Sequence, residues 1–167
     1  MLARVVAVLA LAAPMANGAA AAQQCRLDSA AYLEGVSGAT IQFRPKDPSS
    51  DAALTSGLFV MRLPNLTEQF EGDIAWNAGG NARPDGEIGR KCSADESLES
   101  AACWLWTGNV YGLGDAGAGL LGDADMAAPK AILFSDFGRS LATYQAFAAA
   151  NPDRGAFDVF TLTGCGS

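Results

Sequence analysis

Few residues in this 167-residue chain have the types and spacing that chemistry needs. In Ser135-Asp-Phe-Gly-Arg139, a carboxylate and a guanidinium stand three residues apart, just after the apolar run Ala131 to Phe134. Asp136 could act there as a general base or a ligand group, with Arg139 reaching the same helix face. The plainer reading is an N-cap with an i,i+3 ion pair. Trp104 and Trp106, with Tyr111 close behind, would make a stacking platform for a sugar or peptide if exposed, and core if buried. Asp115, Asp123 and Asp125 lie in the glycine-rich stretch from Gly112 to Pro129 and are oxygen donors suited to calcium, but they lack EF-hand spacing and a closing Glu. The same stretch is no phosphate cradle, because no Lys follows in P-loop spacing, and it lacks the third glycine of a dinucleotide fingerprint.

The chain has no histidine. The commonest general base, the usual Ser-His and Cys-His nucleophiles and the commonest transition-metal ligand are therefore missing. Ser56, Ser135 and Ser140 have no imidazole to activate them, and no Gly-x-Ser-x-Gly occurs. An enzyme would have to work through carboxylates, Tyr, Lys, Arg or hydroxyls. No catalytic residue and no cofactor is assigned. The candidate binding residues are Trp104, Trp106, Tyr111, Asp136 and Arg139, and the weak calcium candidates are Asp115, Asp123 and Asp125.

The N-terminus speaks to compartment. Arg4 precedes an apolar run, Val5 to Ala13, too short to span about 30 Å of bilayer as a helix. Pro14, Asn17 and Gly18 interrupt it, and the small residues Ala19 to Ala22 suit signal peptidase. Residues 1–22 read as a cleaved signal peptide of bacterial style, leaving residues 23–167 as one disulfide-stapled domain in the periplasm or secreted. An anchor kept uncleaved is the alternative, and Gln24 before Cys25 does not fit a lipobox. No later stretch is apolar enough to cross a membrane. The net charge of −7 repels phosphate backbones, so nucleic acid is a poor partner, and anionic lipid offers no attraction.

Four cysteines in an exported chain read as two structural disulfides. Cys92–Cys103 would be a local staple beside the tryptophans, and Cys25–Cys165 would tie the chain ends. No Cys-x-x-Cys is present to suggest redox work, and the paired short spacings of a four-cysteine zinc site are absent.

The elements that would hold these residues follow from pattern. Asp28 to Glu34 reads as a helical turn stopped by Gly35. Ala39 to Phe43, Gly57 to Leu63 and Gln69 to Asn77 read as strands, the last with Gly72 marking a bulge or a close neighbour. Ala78 to Gly86 is a loop with its turn at Pro84-Asp-Gly86, and a short strand passes through Ile88. Consecutive strands on short connections suggest an antiparallel meander. Ser93 and Glu96 have capping-box spacing, so a helical turn fits between Cys92 and Cys103. Trp104 and Trp106 alternate on a strand and share one face. Gly112 to Pro129 reads as a mobile surface loop. Ala131 to Phe134 is a strand. The helix after it runs to about Ala149 with Phe137, Leu141, Tyr144 and Ala148 on its buried stripe, and Gly138 weakens its first turn. Phe157 to Thr163 is the last strand, so a right-handed parallel crossover could form.

The expected fold class is α+β: a mainly antiparallel sheet, one packed C-terminal helix and two structural disulfides. The expected function is an exported, periplasmic, non-enzymatic module that binds a protein, peptide or glycan in the cell envelope. The alternative is a carboxylate-dependent glycan hydrolase, which needs two carboxyl groups about 5–10 Å apart in a cleft.

Overall fold

Apolar residues at every second position, flanked by polar ones, allow a strand to bury one face and wet the other, and most strands here do so. The computed structural model describes residues 25–46, 55–76, 82–90, 103–122 and 125–166. Among these, nine strands form: β1 (Ala30–Leu33), β2 (Thr40–Arg44), β3 (Thr55–Arg62), β4 (Gln69–Trp76), β5 (Pro84–Gly89), β6 (Trp104–Gly114), β7 (Gly117–Leu120), β8 (Ala131–Phe134) and β9 (Val159–Cys165). Two short helices, α1 (Phe137–Thr143) and α2 (Gln145–Ala150), lie between β8 and β9. The hydrogen-bonded order is β5-β4-β3-β2-β1-β9-β8-β6-β7, and β5 also pairs with β6. That last pairing closes eight strands into a barrel, with β7 as a hairpin arm on β6. Every pairing is antiparallel.

The α+β expectation is therefore overturned: the protein is a closed antiparallel barrel with two short helices. The local strand pattern is the same in an open sheet and a closed one, and closure is decided where β1 meets β9 and β5 meets β6. Asp28 to Glu34 is helical only at its start. A single 3-10 turn, Leu27–Ser29, gives way to β1, whose Ala30 and Tyr32 point inward while the strand bonds β2 on one side and β9 on the other. β8 and β9 are antiparallel neighbours, so no parallel crossover exists.

The single long helix expected after β8 is broken at Tyr144, whose backbone is extended (φ −74°, ψ 107°). Its hydroxyl donates to Glu68 Oε2 at 3.0 Å and its ring meets Phe70 edge-on at 5.7 Å. Those contacts hold the residue out of helical conformation, and after the break Phe147, not Ala148, takes the buried position. Of the glycine-rich stretch expected as a mobile loop, Gly112 to Leu120 instead forms the end of β6 and all of β7, turning at Gly117 with φ +102°, while the described residues from Leu121 to Pro129 lie outside the strands. Pro84, expected in a turn, begins β5, a place where a missing N–H is tolerated.

The barrel interior is a packed core. Phe43, Phe59, Phe134, Phe160 and Trp106 form a chain of ring contacts with centroids 5.2–5.8 Å apart. Glycines on neighbouring strands make room for these rings. A methyl group on Gly72 would lie 2.2 Å from the Phe59 ring, and one on Gly57 would lie 2.7 Å from the Phe43 ring. An eight-stranded barrel is just wide enough for side chains to fill, and large rings laid over glycines fill it. The outer face carries Thr40, Arg62, Gln69, Glu71, Glu87, Thr107 and Thr161. Leu33, Leu58, Val60, Leu133 and Val159 share that face, and the packed apolar interior differs from the polar interior of a bilayer-spanning barrel. No helix among the described residues is long and apolar enough to cross a membrane.

The two ends are closed differently. Cys25 and Cys165 are bonded, joining the segment before β1 to the end of β9. Two disulfides were expected; this is the one with both partners among the described residues, and Cys103 is disulfide-bonded as well. Cys92, and with it the expected Cys92–Cys103 staple and its helical turn, lies outside the described residues. At the other end α1 and α2 fold over the strand ends. Asn151, buried at the end of α2, donates from Nδ2 to the carbonyls of Pro64 (3.0 Å) and Phe147 (3.2 Å) and accepts from Asn65 Nδ2 (2.8 Å).

On the outer face Asp73 and Glu87 stand directly opposite across β4 and β5. Burial raises the Asp73 carboxyl above its ordinary value; burial first, and then the charge of Asp73, raises Glu87. An acid raised in the folded state adds stability that is full below its unfolded value near 4 and is lost as pH climbs through the raised value. Glu87→Gln should therefore raise Tm by about 1–3 °C at pH 7, the size expected for relieving a like-charge cross-strand pair. At pH 2.5, well below the ordinary values of both carboxyls, the gain should vanish. Calorimetry at the two pH values checks this, and an equal gain at both would refute the repulsion.

Candidate functional site

The helical end of the barrel carries a groove of about 710 Å³ on its outer flank. One wall is the β1–β2 turn with Glu34, Gly35 and Val36; the other is the segment from Ala156 to Val159; Leu133, Asp136, Gly138 and Arg139 line the rest with Thr161. Each wall is fixed by backbone chemistry. Glu34 is buried, and its carboxylate accepts the N–H of Val36 (2.8 Å) and of Ser37 (2.7 Å), which clamps the turn. Arg154 Nη1 donates to the Ser37 carbonyl at 3.0 Å and so stitches that turn to the segment before β9.

The β8–α1 junction is built from two directions. Trp106 Nε1 donates to the Ser135 carbonyl at 2.8 Å from inside the barrel. Ser135 also exchanges hydrogen bonds with the Asn109 backbone through its own N–H and hydroxyl. From outside, Asp158 accepts the N–H of Asp136 at 3.1 Å on Oδ2 and that of Gly138 at 2.8 Å on Oδ1. The residue capping α1 is thus Asp158, twenty-two positions downstream of Asp136. Gly138 is required here for approach: a methyl group on it would lie 2.5 Å from the Ala156 carbonyl oxygen.

Asp136 holds the N-cap position but makes no side-chain capping bond, and its backbone is left-handed (φ 60°, ψ 14°). Among the described residues its carboxylate and the Arg139 guanidinium form no ion pair, so the expected i,i+3 pair is absent. Both line the groove. Around them the lining is apolar: Phe157 is 62% exposed and Val36 44%, with Val159 and Leu133 beside them.

The other expected site residues are dispersed. Trp106 is 2% exposed and belongs to the core, whereas Trp104 is 40% exposed. Both sit on β6, but Ile88 pairs with Trp106 and Gly89 with Trp104, a register irregularity that separates their surroundings. The two indoles form no common platform. Tyr111 pairs with Leu120 of β7 and with Leu133 of β8; Leu133 lines the groove, but Tyr111 itself does not. Asp115, at the β6–β7 turn, is bonded by Lys130 Nζ. Asp125 is exposed and Asp123 lies outside the described residues. Among the described residues no cluster of His, Cys, Asp and Glu could hold a metal ion.

Sequence reasoning missed Val36, Phe157 and Val159. The signal was present in the last strand, where Phe157 and Val159 fall in one phase and Phe160 and Leu162 in the other. A strand apolar in both phases has a use for both faces.

Compared with known proteins, the chain matches no family model, no curated protein and no solved structure.

Proposed function

We propose that this chain is an exported, non-enzymatic binding module of the cell envelope, and that its groove holds a peptide segment of another protein. The observation that carries the reading is Phe157. Soluble proteins rarely leave a large ring mostly exposed beside further apolar groups in a concave, polar-rimmed site unless something docks there. A disulfide tying the chain ends suits an oxidising compartment. The barrel interior is filled by its own rings, which leaves the outer flank for recognition.

A titration followed by two-dimensional NMR with a panel of short peptides and oligosaccharides tests the reading. Amide shifts should gather at Val36, Gly138, Arg139 and Val159 for peptides, and Phe157→Ser should abolish them without lowering Tm, since that ring is mostly exposed. Shifts gathered at Trp104 instead would overturn it.

The hydrolase reading keeps one observation, because Asp136 and Asp158 line the same groove. Both oxygens of Asp158, however, already accept backbone N–H groups, as do both of Glu34. Each would have to release a wall of the groove before serving as acid, base or nucleophile. Oligosaccharide cleavage by the wild type that disappears in Asp136→Asn would establish this alternative.

A further inference from the structure

We infer that the groove recognises a peptide in which a large apolar side chain stands beside Lys or Arg, and that Asp136 is the residue that reads the positive charge. This rests on the peptide-binding reading above. Two residues other than glycine have left-handed backbone among the described residues, Asn65 and Asp136, both at φ 60°. For an L-residue that conformation is unfavourable, and it persists where surrounding interactions hold it or function requires it. Asn65 is rewarded locally, since its side chain donates to Asn151. Asp136 is not: its backbone N–H is held by Asp158 and its backbone carbonyl accepts from Ser140, but its carboxylate bonds to nothing among the described residues. Glycine would occupy this position more comfortably. A carboxylate kept there without an internal partner, on the wall of a groove, is placed for an external one.

Charge complementarity names that partner. Glu34, Asp136 and Asp158 line the groove against Arg139, within a chain whose net charge is −7. Glu34 and Asp158 are turned to backbone N–H groups, so Asp136 is the acid left for a ligand. Val36, Phe157 and Val159 supply the apolar seat beside it. An acidic rim also steers a cationic segment in and disfavours an acidic one.

The test uses three acetylated eight-residue peptides carrying a central Phe flanked by two Lys, two Ser or two Glu. Their affinities are read by fluorescence anisotropy with the full-length secreted protein. The Lys peptide should bind about fivefold more tightly than the Ser peptide, as expected for a half-exposed ion pair, and high salt should narrow the difference. Asp136→Asn should remove most of that preference and leave the Ser peptide unchanged, while Phe157→Ser should weaken all three. Asp136→Gly should lose the preference yet raise Tm by about 2–3 °C, because the left-handed strain is relieved. A preference for the Glu peptide, an Asp136→Asn variant that keeps the full preference, or a fall in Tm for Asp136→Gly would overturn the assignment of Asp136 while Phe157→Ser still shows that the groove binds. No binding of any peptide, with Phe157→Ser indistinguishable from wild type, would remove the groove reading itself and this inference with it.

Discussion

The double variant Cys25→Ser/Cys165→Ser should be less stable than the wild type by about 4–5 kcal/mol, since the bond closes a loop spanning 140 residues. For a domain of this size that corresponds to a fall in Tm of roughly 10–20 °C. The first part of the effect lies in the unfolded chain, which gains the freedom of its separated ends. The second lies in the fold: the bond sits at the end of the β1–β9 pairing, where Ala30 is registered against Cys165 and the register shifts between Ala31 and Tyr32. This is the seam at which the first and last strands close the barrel. Chemical denaturation of the double variant measures the loss, and a larger m value should accompany it as the unlinked unfolded chain exposes more surface. Refolding should slow as well, because ends far apart in sequence must then find one another unaided. A double variant whose Tm stays within about 3 °C of the wild type would refute a stabilising role for the seam bond.

Trp106→Ala should cost about 3–5 kcal/mol, the range for deleting a buried large ring. The indole is fully enclosed, meets Phe134 edge-on at 5.2 Å, and lies against two glycines, so that a methyl group on Gly86 or Gly108 would come within 2.7 Å of Val110 and 2.6 Å of the indole respectively. Flanking groups fitted so closely cannot collapse into the space it would leave. Trp106→Phe is the more informative change. It keeps much of the volume but leaves the Ser135 carbonyl without its N–H donor, at a cost of about 1–3 kcal/mol. Because Ser135 precedes Asp136, the β8–α1 junction should loosen, and peptide affinity at the groove should fall although the indole lines no part of it. Urea denaturation and the peptide titration read the two effects separately. A Trp106→Phe protein with unchanged stability would show that the Ser135 bond contributes nothing.

What was legible in the sequence was whatever depends on neighbours along the chain. β2, β3, β4, β6, β8 and β9 each announce themselves by alternation or β-rich composition, and Gly72 was legible as a place of close approach, which the Phe59 ring confirms. Cys25 and Cys165 could be matched because they bracket the domain. Asp136 and Arg139 could be singled out because a strand end followed by a helix start is a local pattern, and both line the groove.

Everything that depends on residues distant in sequence was decided by the tertiary structure. Closure into a barrel is a property of the β1–β9 and β5–β6 pairings, and a strand's own residues do not say whether its sheet has edges. The helix after β8 has a continuous helical pattern, yet Glu68 and Phe70 draw Tyr144 out of it. Trp104 and Trp106 are equivalent by spacing, but Gly86 and Gly108 seat Trp106 inside the barrel, whereas Trp104, over Gly89 beyond the register shift, stays 40% exposed. The cap of α1 comes from Asp158, and the groove exists because that contact and the Arg154–Ser37 bond bring the segment before β9 alongside the β1–β2 turn. Short-range periodicity thus determined most of the strands, though not β1 or β7, and for most of those the face that is buried. The pairing partners, the broken helix and the exposed Phe157 were set by long-range hydrogen bonds and ring packing, whose energies belong to pairs of segments that no local window contains.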